Sequence, residues 1–382
     1  MNKYTLAQRF EQAYQTPASG TVSAPGRVNI IGEFTDYNDG FVLPAALTFL
    51  TQVAYCQRSD QRIVVRSSMY PDEVEQFSLT EPITSGDSQW GNYIRAVVFV
   101  LHRAGHQLCG VDLLIDSDVP QGSGLSSSAA LEVAITGMFN HVCQLGLSLE
   151  QIALLGQQAE NDFMNCQCGI MDQLISATGI AQHAVLIDCQ NLASSAIKIP
   201  DDLNLVIVNS NYPRKLVESE YNQRRIDCEQ AANIMGVTSL RHADLPLLQA
   251  HKSKLSDTQY RRAHHVISEN NRVIAATTAL AANDMDQLRQ LMTASHQSLK
   301  FDFEVTVPAT DGLVEICQQA VGERGAVRMT GGGFGGAIVC LCRAEDVIVI
   351  KQAINQQYHS RFGLHADVYV CQAGAGLTIN PN

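Results

Sequence analysis

Residues 120–134 read PQGSGLSSSAALEVA, with two glycines and four serines in the seven positions 122–128. Glycine lets the backbone take positive φ and approach a ligand closely. Free N–H groups at a helix start, aligned with its dipole, favour an anion. Serine serves as a helix N-cap or as a hydroxyl that reaches a phosphate oxygen or a Mg²⁺ ion. The chemistry this stretch offers is the cradling of a phosphate, although a tight turn and a capped helix would use the same residues.

Two further segments set polar groups among apolar ones. Residues 24–47, APGRVNIIGEFTDYNDGFVLPAAL, place Arg27, Asn29, Glu33, Asp36, Asn38 and Asp39 at spacings that suit neither one helix face nor strand alternation. Buried carboxylates are costly unless paired. Carboxylates and amides gathered on loops accept hydrogen bonds from the hydroxyls of a polyol. An Asx turn accounts for YNDG but leaves Glu33 and Arg27 unexplained, so a ligand site is favoured. Residues 166–179, CQCGIMDQLISATG, come after a helical segment that carries Glu160 and set Asp172 beside Gly169, Ile170 and Met171. An aspartate in such a run is a cap or a working group. Cys166 and Cys168 lack the second pair that a zinc site needs and are set aside.

The elements that must position these groups are read from periodicity. VDLLIDSDV (residues 111–119) alternates as a strand and SSSAALEVAITGMFNHV has helical apolar spacing, which puts the glycines on a strand-to-helix turn. A Walker A loop is excluded because the dipeptide Gly-Lys occurs nowhere in the chain. Gly331, Gly333 and Gly336 of TGGGFGG mimic a dinucleotide fingerprint, yet the next residues, AIVCLC, read as a buried strand where a helix is required. A wide glycine hairpin, open to a ligand or to another loop, fits better. Residues 20–66 read mainly as strands. LSLEQIALLGQQAENDFM, SEYNQRRIDCEQAANIM and HHVISENNRVIAATTALAANDMDQLRQLM read as helices, and LNLVIVNSN as a strand. Segregated strands and helices predict α+β domains, divided as residues 1–198 and 199–382 at the weakly marked SSAIKIPDD.

Composition bounds the function class. The chain has 382 residues, 46% hydrophobic and 17% charged, enough for two domains with sizeable cores. No run approaches the roughly 18 apolar residues of a membrane span, and the first residues lack the apolar stretch of a secretion signal. Eleven cysteines, an odd number, suit buried thiols in a reducing compartment, so cytoplasm is expected. A net charge of −12 argues against nucleic acid. The basic pairs Arg224-Arg225 and Arg261-Arg262 are read as solvated helix faces. His264-His265 and His296 carry no motif and go to surface or core.

APGRVNIIGEFTDYNDG, PQGSGLSSSAALEVA, CGIMDQ and MTGGGFGG, in this order along most of the chain, strongly resemble the galactokinases of the GHMP small-molecule kinase superfamily. QWGNYIRA, VLIDC and VNSNYPRKLVESEYNQRR add to the likeness. The resemblance implies phosphorylation of the anomeric hydroxyl of α-D-galactose by MgATP, the step that opens galactose metabolism. It implies an N-terminal domain like the second domain of ribosomal protein S5, a ferredoxin-like C-terminal domain and an active site in the cleft between them. DVYVCQAGAG, near the end of the chain, is expected to cross back to the first domain. A monomer is expected, with galactose and MgATP as its only partners.

Carried over by position, the resemblance makes Asp172 the catalytic carboxylate and Arg27 its cationic partner. An arginine within a few ångströms favours a charged carboxylate and stabilises charge on a transferred phosphoryl group. Glu33, Asp36, Gly169 and Tyr221 are implied in the sugar pocket. Gly122, Ser123, Gly124, Leu125, Ser126, Ser127 and Ser128 are implied around the ATP phosphates, Ser128 and Glu160 at Mg²⁺, and Trp90, the single tryptophan, either beside the adenine or in the core. One position departs from the pattern: Phe34 stands where the family has a histidine near the sugar's 6-hydroxyl. Phenylalanine neither donates nor accepts, which implies weakened galactose binding and relaxed selection at C6 with the chemistry retained. A sugar-sensing regulator without catalysis, and a kinase for N-acetylgalactosamine or another monosaccharide, are the alternative readings.

Overall fold

The computed structural model describes residues 4–213 and 217–381. Arg214, Lys215 and Leu216, inside one of the segments that carry the resemblance, lie outside them. The largest sheet has six strands, in spatial order Thr378–Pro381, Gly20–Asn29, Pro44–Gln57, Val111–Ser117, Arg62–Ser67 and Tyr70–Ser78. All its pairs are antiparallel except Arg62–Ser67 with Val111–Ser117. A parallel pair needs a crossover. Here the edge strand and the helix Gln89–Arg103 supply it. One face of the sheet packs against that helix and against Ser127–Val142, Leu149–Asp162 and Met171–Thr178, around Val53, Ile94, Met138 and Leu174.

A second sheet orders Ala326–Thr330, Ala337–Arg343, Leu203–Asn209 and Asp367–Cys371. Its central strands, LNLVIVN and AIVCLCR, are apolar almost throughout because both faces are covered. Val206, Val208, Ile338 and Cys340 meet the helices Pro308–Val321 and Ala344–Phe362. Leu205, Ile207, Val339 and Leu341 face the opposite way, into a core shared with Ile30, Ile31, Leu43, Leu47 and Leu125. That shared core holds the phosphate bend and the polar segment of residues 24–47 against the second sheet. A three-stranded sheet, Phe41–Val42, His183–Asp188 and Ser194–Lys198, lies between. The division at residues 198 and 199 falls between Ser194–Lys198 and Leu203–Asn209.

Several expectations from sequence are corrected. DVYVCQAGAG crosses back as expected only in its second half: Asp367–Cys371 stays in the second sheet beside Leu203–Asn209. The return is made by residues 373–381, through a bridge of Ala373 to Leu47 and the pairing of Thr378–Pro381 with Gly20–Asn29. The apolar pattern of residues 264–292 is not one helix. Asp257–Ala281 and Met285–Phe301 are separated where Asn283 takes φ +53° and Asp284 caps the second helix. Arg224 and Arg262 do not lie on solvated faces. Both are buried; Arg224 donates to the carbonyls of Phe303 and Glu304, and Arg262 to that of Asp302 and to the Glu304 carboxylate. A turn packed between helices has carbonyls without helical partners, and these guanidinium groups satisfy them. Their neighbours Arg225 and Arg261 are the more exposed members of each pair.

Candidate active site

Arg27 stands near the end of Gly20–Asn29, just past a register shift between Pro25 and Arg27. An irregularity of this kind re-aims side chains. Here the chain bends towards the phosphate bend, and Arg27 N–H donates to the Leu125 carbonyl at 3.0 Å. The buried guanidinium makes a bidentate pair with Asp172, Nε to Oδ1 at 2.6 Å and Nη2 to Oδ2 at 2.5 Å. Its Nη1 donates to the Gly124 carbonyl at 2.7 Å. Asp172 lies in the first turn of Met171–Thr178 without capping it. Two residues 145 positions apart are thereby brought together on the bend.

The bend runs from Val111–Ser117 into Ser127–Val142, with Gly122 at φ +70° and Gly124 at φ +78°. Its side chains are less available than its composition suggests. Leu125 is buried in the shared core, and the Ser123 hydroxyl donates inward to the Pro120 carbonyl at 2.6 Å. Ser126 occupies the N-cap position but makes no side-chain cap bond, against the simple expectation for serine there. Its hydroxyl donates instead to Asp172 Oδ2 at 2.5 Å, a partner that its place in a serine run does not signal.

A cavity of about 170 Å³ opens beside Asp172, lined among others by Arg27, Glu33, Phe34, Asp36, Ser128, Glu160, Gly169, Tyr221, Gly331 and Gly332. Glu33 is buried and heavily engaged. It accepts from Gly331 N–H at 2.6 Å, from the Thr330 hydroxyl at 3.1 Å and from the Asn29 amide, and faces Arg328 at 3.4 Å. Burial pushes its carboxyl above the usual range while Arg328 opposes this. Glu33 thus fastens the polar segment to the TGGGFGG turn, which is a hairpin between Ala326–Thr330 and Ala337–Arg343, as read from sequence. At Gly331 the hairpin comes close to the bend: an added Cβ would sit 3.3 Å from the Gly124 carbonyl. Of the two alternatives open for those glycines, close approach of another loop is what the packing shows, and Gly331 and Gly332 also line the cavity.

Asp36 has its carboxyl pushed up to about 6, first by burial and then by the Asp172 charge. It lies against Gly169, where a Cβ would fall 2.1 Å from Asp36 Oδ2, so the backbone of CGIMDQ can pass only as glycine. Phe34 is 4% exposed, at φ +64°, with its ring centroid 4.7 Å from Phe303 and 5.6 Å from Tyr221. Three residues of the polar segment are not part of the cavity lining: Asn29 holds Glu33, Asn38 donates to the Phe34 carbonyl, and Asp39 sits in a turn at φ +59°. Cys166 and Cys168, set aside for lack of a zinc pattern, do line the cavity. His265 and His296 are buried, and His265 Nε2 lies 3.1 Å from the Glu33 carbonyl.

A second cavity, of about 400 Å³, adjoins the start of Ser127–Val142 and is lined by Trp90, Tyr70, Glu73, Ser127 and Ser128 among others. Trp90 and Tyr70 have parallel rings with centroids 5.9 Å apart, and Trp90 donates to Glu73 at 2.6 Å. Tyr70 and Glu73 carry no motif and were legible only once Trp90 was placed. Ser128 lines both cavities. Among the described residues no three His, Cys, Asp or Glu side chains converge on a metal position. Mg²⁺ does not require that, since it keeps waters and phosphate oxygens beside one or two carboxylates. Ser128 and Glu160 both line the smaller cavity, a hydroxyl and a carboxylate of the types such an ion takes.

Comparison with known proteins agrees with this geometry. Residues 92–179 match the GHMP kinases N terminal domain and residues 276–360 the GHMP kinases C terminal family. The solved mevalonate kinase of Methanococcus jannaschii shares the fold at 15% identity and a TM-score of 0.66, covering 93% of this chain and 98% of its own. So does a D-glycero-D-manno-heptose 1-phosphate kinase from Bacteroides thetaiotaomicron, at 15% identity and 0.60, covering 94% and 98%. The two-domain α+β fold and these two family matches define a GHMP kinase, a class that takes ATP as co-substrate. Residues 8–57 match the galactokinase galactose-binding signature. Lactococcus lactis galactokinase, solved with galactose, is 34% identical with 98% of each chain covered and a TM-score of 0.93. The chain belongs to the galactokinase family and is an enzyme.

Proposed function

We propose that this kinase transfers the γ-phosphoryl group of ATP to the anomeric hydroxyl of α-D-galactose, giving galactose 1-phosphate. The observation that carries the reading is that Ser128, at the start of the helix after the bend, lines both cavities, and Asp172 lines the smaller one. A nucleotide in the larger cavity, its adenine beside Trp90, directs its phosphates to the bend from Gly122 to Ser128. The sugar fills the smaller cavity, with Gly169 and Tyr221 as walls and Glu33 and Asp36 accepting from its hydroxyls.

In this reading Asp172 orients the acceptor hydroxyl and takes its proton. Arg27 holds both oxygens of that carboxylate and the bend together. Much of the acceleration in phosphoryl transfer comes from such positioning. When bound, Mg²⁺ supplies charge neutralisation to the phosphates, and Ser128 and Glu160 would hold it. ADP release that depends on galactose tests the assignment. Asp172→Ala should abolish that turnover while the protein still melts cooperatively; turnover at the wild-type rate would remove Asp172 from the mechanism.

Phe34 favours a refinement: recognition at C6 is relaxed. The ring presents no donor to the cavity and rests on Phe303 and Tyr221. Histidine tolerates the left-handed backbone region better than phenylalanine, so Phe34→His leaves the turn intact. A regained hydrogen bond of about 0.5–1.5 kcal/mol raises the preference for galactose over 6-deoxygalactose by roughly 2- to 12-fold. An unchanged preference would show that position 34 does not read C6. N-acetylgalactosamine in the same panel separates the remaining substrate reading.

A further inference from the structure

Asp172 receives three donors, and they are unequally shared. Oδ1 accepts from Arg27 Nε alone, whereas Oδ2 accepts from Arg27 Nη2 and from the Ser126 hydroxyl. Ser126 reaches that oxygen from an unusual position. It takes φ +59° and ψ +52°, a left-handed conformation that disfavours a side chain, and it forgoes the N-cap bond that serine ordinarily makes to its own helix. Both concessions serve one contact. A serine in extended N-cap geometry would aim its hydroxyl at the helix N–H groups, away from the carboxylate.

We infer that Ser126 is a positioning residue that ties the phosphate bend to the sugar-side carboxylate and decides which oxygen of Asp172 meets the acceptor hydroxyl. With Oδ2 occupied by Ser126 and Arg27, Oδ1 is the oxygen with acceptor capacity to spare. Arg27 makes the parallel tie, from the same carboxylate to the Gly124 carbonyl. The bend is therefore fastened to Asp172 at both ends of its last turn. A triphosphate seated on the bend and a sugar hydroxyl on Oδ1 then stand at a distance set by the protein, not by the ligands.

The inference rests on the proposed kinase activity, and two variants test it. Ser126→Ala removes the hydroxyl and keeps the strained backbone; Ser126→Gly removes the hydroxyl and relieves the strain. Both should lose about tenfold or more in kcat, the size of one hydrogen bond to a charged group, with KM for galactose within about twofold of wild type. Ser126→Gly should melt at or above the wild-type temperature, which separates positioning from folding. If Ser126→Gly keeps kcat within about twofold of wild type, or loses activity only through KM for MgATP, Ser126 is merely part of the bend and the inference fails. Wild-type protein measured alongside distinguishes the two readings. No galactose-dependent ADP release from wild type would sink the proposed function, whereas equal turnover by wild type and Ser126→Gly would sink this inference alone.

Discussion

Gly169→Ala is the substitution whose consequence the geometry dictates most directly. The new methyl carbon would lie 2.1 Å from Asp36 Oδ2, 2.2 Å from its Cγ and 2.8 Å from its Cβ. Ordinary contact begins well beyond these distances, so the Asp36 carboxylate has to retreat by about 1 Å or the loop has to move. A hydrogen bond from a sugar hydroxyl does not survive a displacement of that size. Bonds to charged groups contribute about 1.5–3 kcal/mol, so KM for galactose should rise roughly 10- to 150-fold. KM for MgATP should stay near its wild-type value, because neither residue borders the larger cavity. Overpacking also costs about 1–3 kcal/mol of stability, visible as a lower melting temperature. The assay is steady-state ADP release at varied galactose, in a cycle with Asp36→Ala. That second change removes the two closest contacts, so Gly169→Ala should add little to it. A Gly169→Ala protein with wild-type galactose KM would refute the placement of Asp36 as a sugar-facing carboxylate fixed against Gly169.

Three further outcomes are expected. The Asp36 carboxyl, pushed up to about 6, is mostly ionised at pH 7 and mostly protonated at pH 5. It accepts from a hydroxyl best when ionised, so KM for galactose should be roughly tenfold higher at pH 5 than at pH 7, and a flat profile would count against it. The sign for stability is opposite. The folded state holds this proton more tightly than the unfolded chain, whose value is near 3.8, so ligand-free protein loses stability from this group as pH rises from about 4 to about 6. Trp90→Ala removes one of two parallel rings beside the larger cavity and should raise KM for MgATP with little change for galactose. An effect confined to galactose would place the nucleotide elsewhere.

The strand-to-helix bend and the glycine hairpin were legible in the sequence because each is a local event. A strand pattern ended by glycines and continued with helical spacing leaves one arrangement, and a buried strand after TGGGFGG excludes a dinucleotide loop. The pairing of Asp172 with Arg27 was legible only through resemblance, since nothing in spacing joins residues 145 positions apart. What failed depends on which elements pack together. Arg224 and Arg262 looked like surface charges because helical periodicity says which way a residue faces on its own helix, not that a turn with unpaired carbonyls lies opposite. DVYVC has the alternation of an edge strand, and such a pattern suits either sheet. Asn29, Asn38 and Asp39 shared the polarity of the cavity-lining Glu33 and Asp36, yet two of them are spent on holding Glu33 and the Phe34 turn.

The acidic composition and the anionic co-substrate are reconciled by the same packing. A net charge of −12 describes the whole surface, while a phosphate bend attracts its ligand with backbone N–H groups that carry no formal charge. Arg27 does not add net charge there, because it is paired; what it adds is fixed geometry. With three side-chain hydrogen bonds, this one guanidinium neutralises Asp172, orients both of its oxygens and fixes the Gly124 carbonyl. Lysine, a single ammonium without a planar fork, could not hold that geometry. Arg27→Lys should therefore fold, because the charge pair is kept, and should lose much of its kcat, because the carboxylate and the bend are no longer fixed by one rigid group. Retention of full kcat would mean that charge alone, without the fork, is what the site uses.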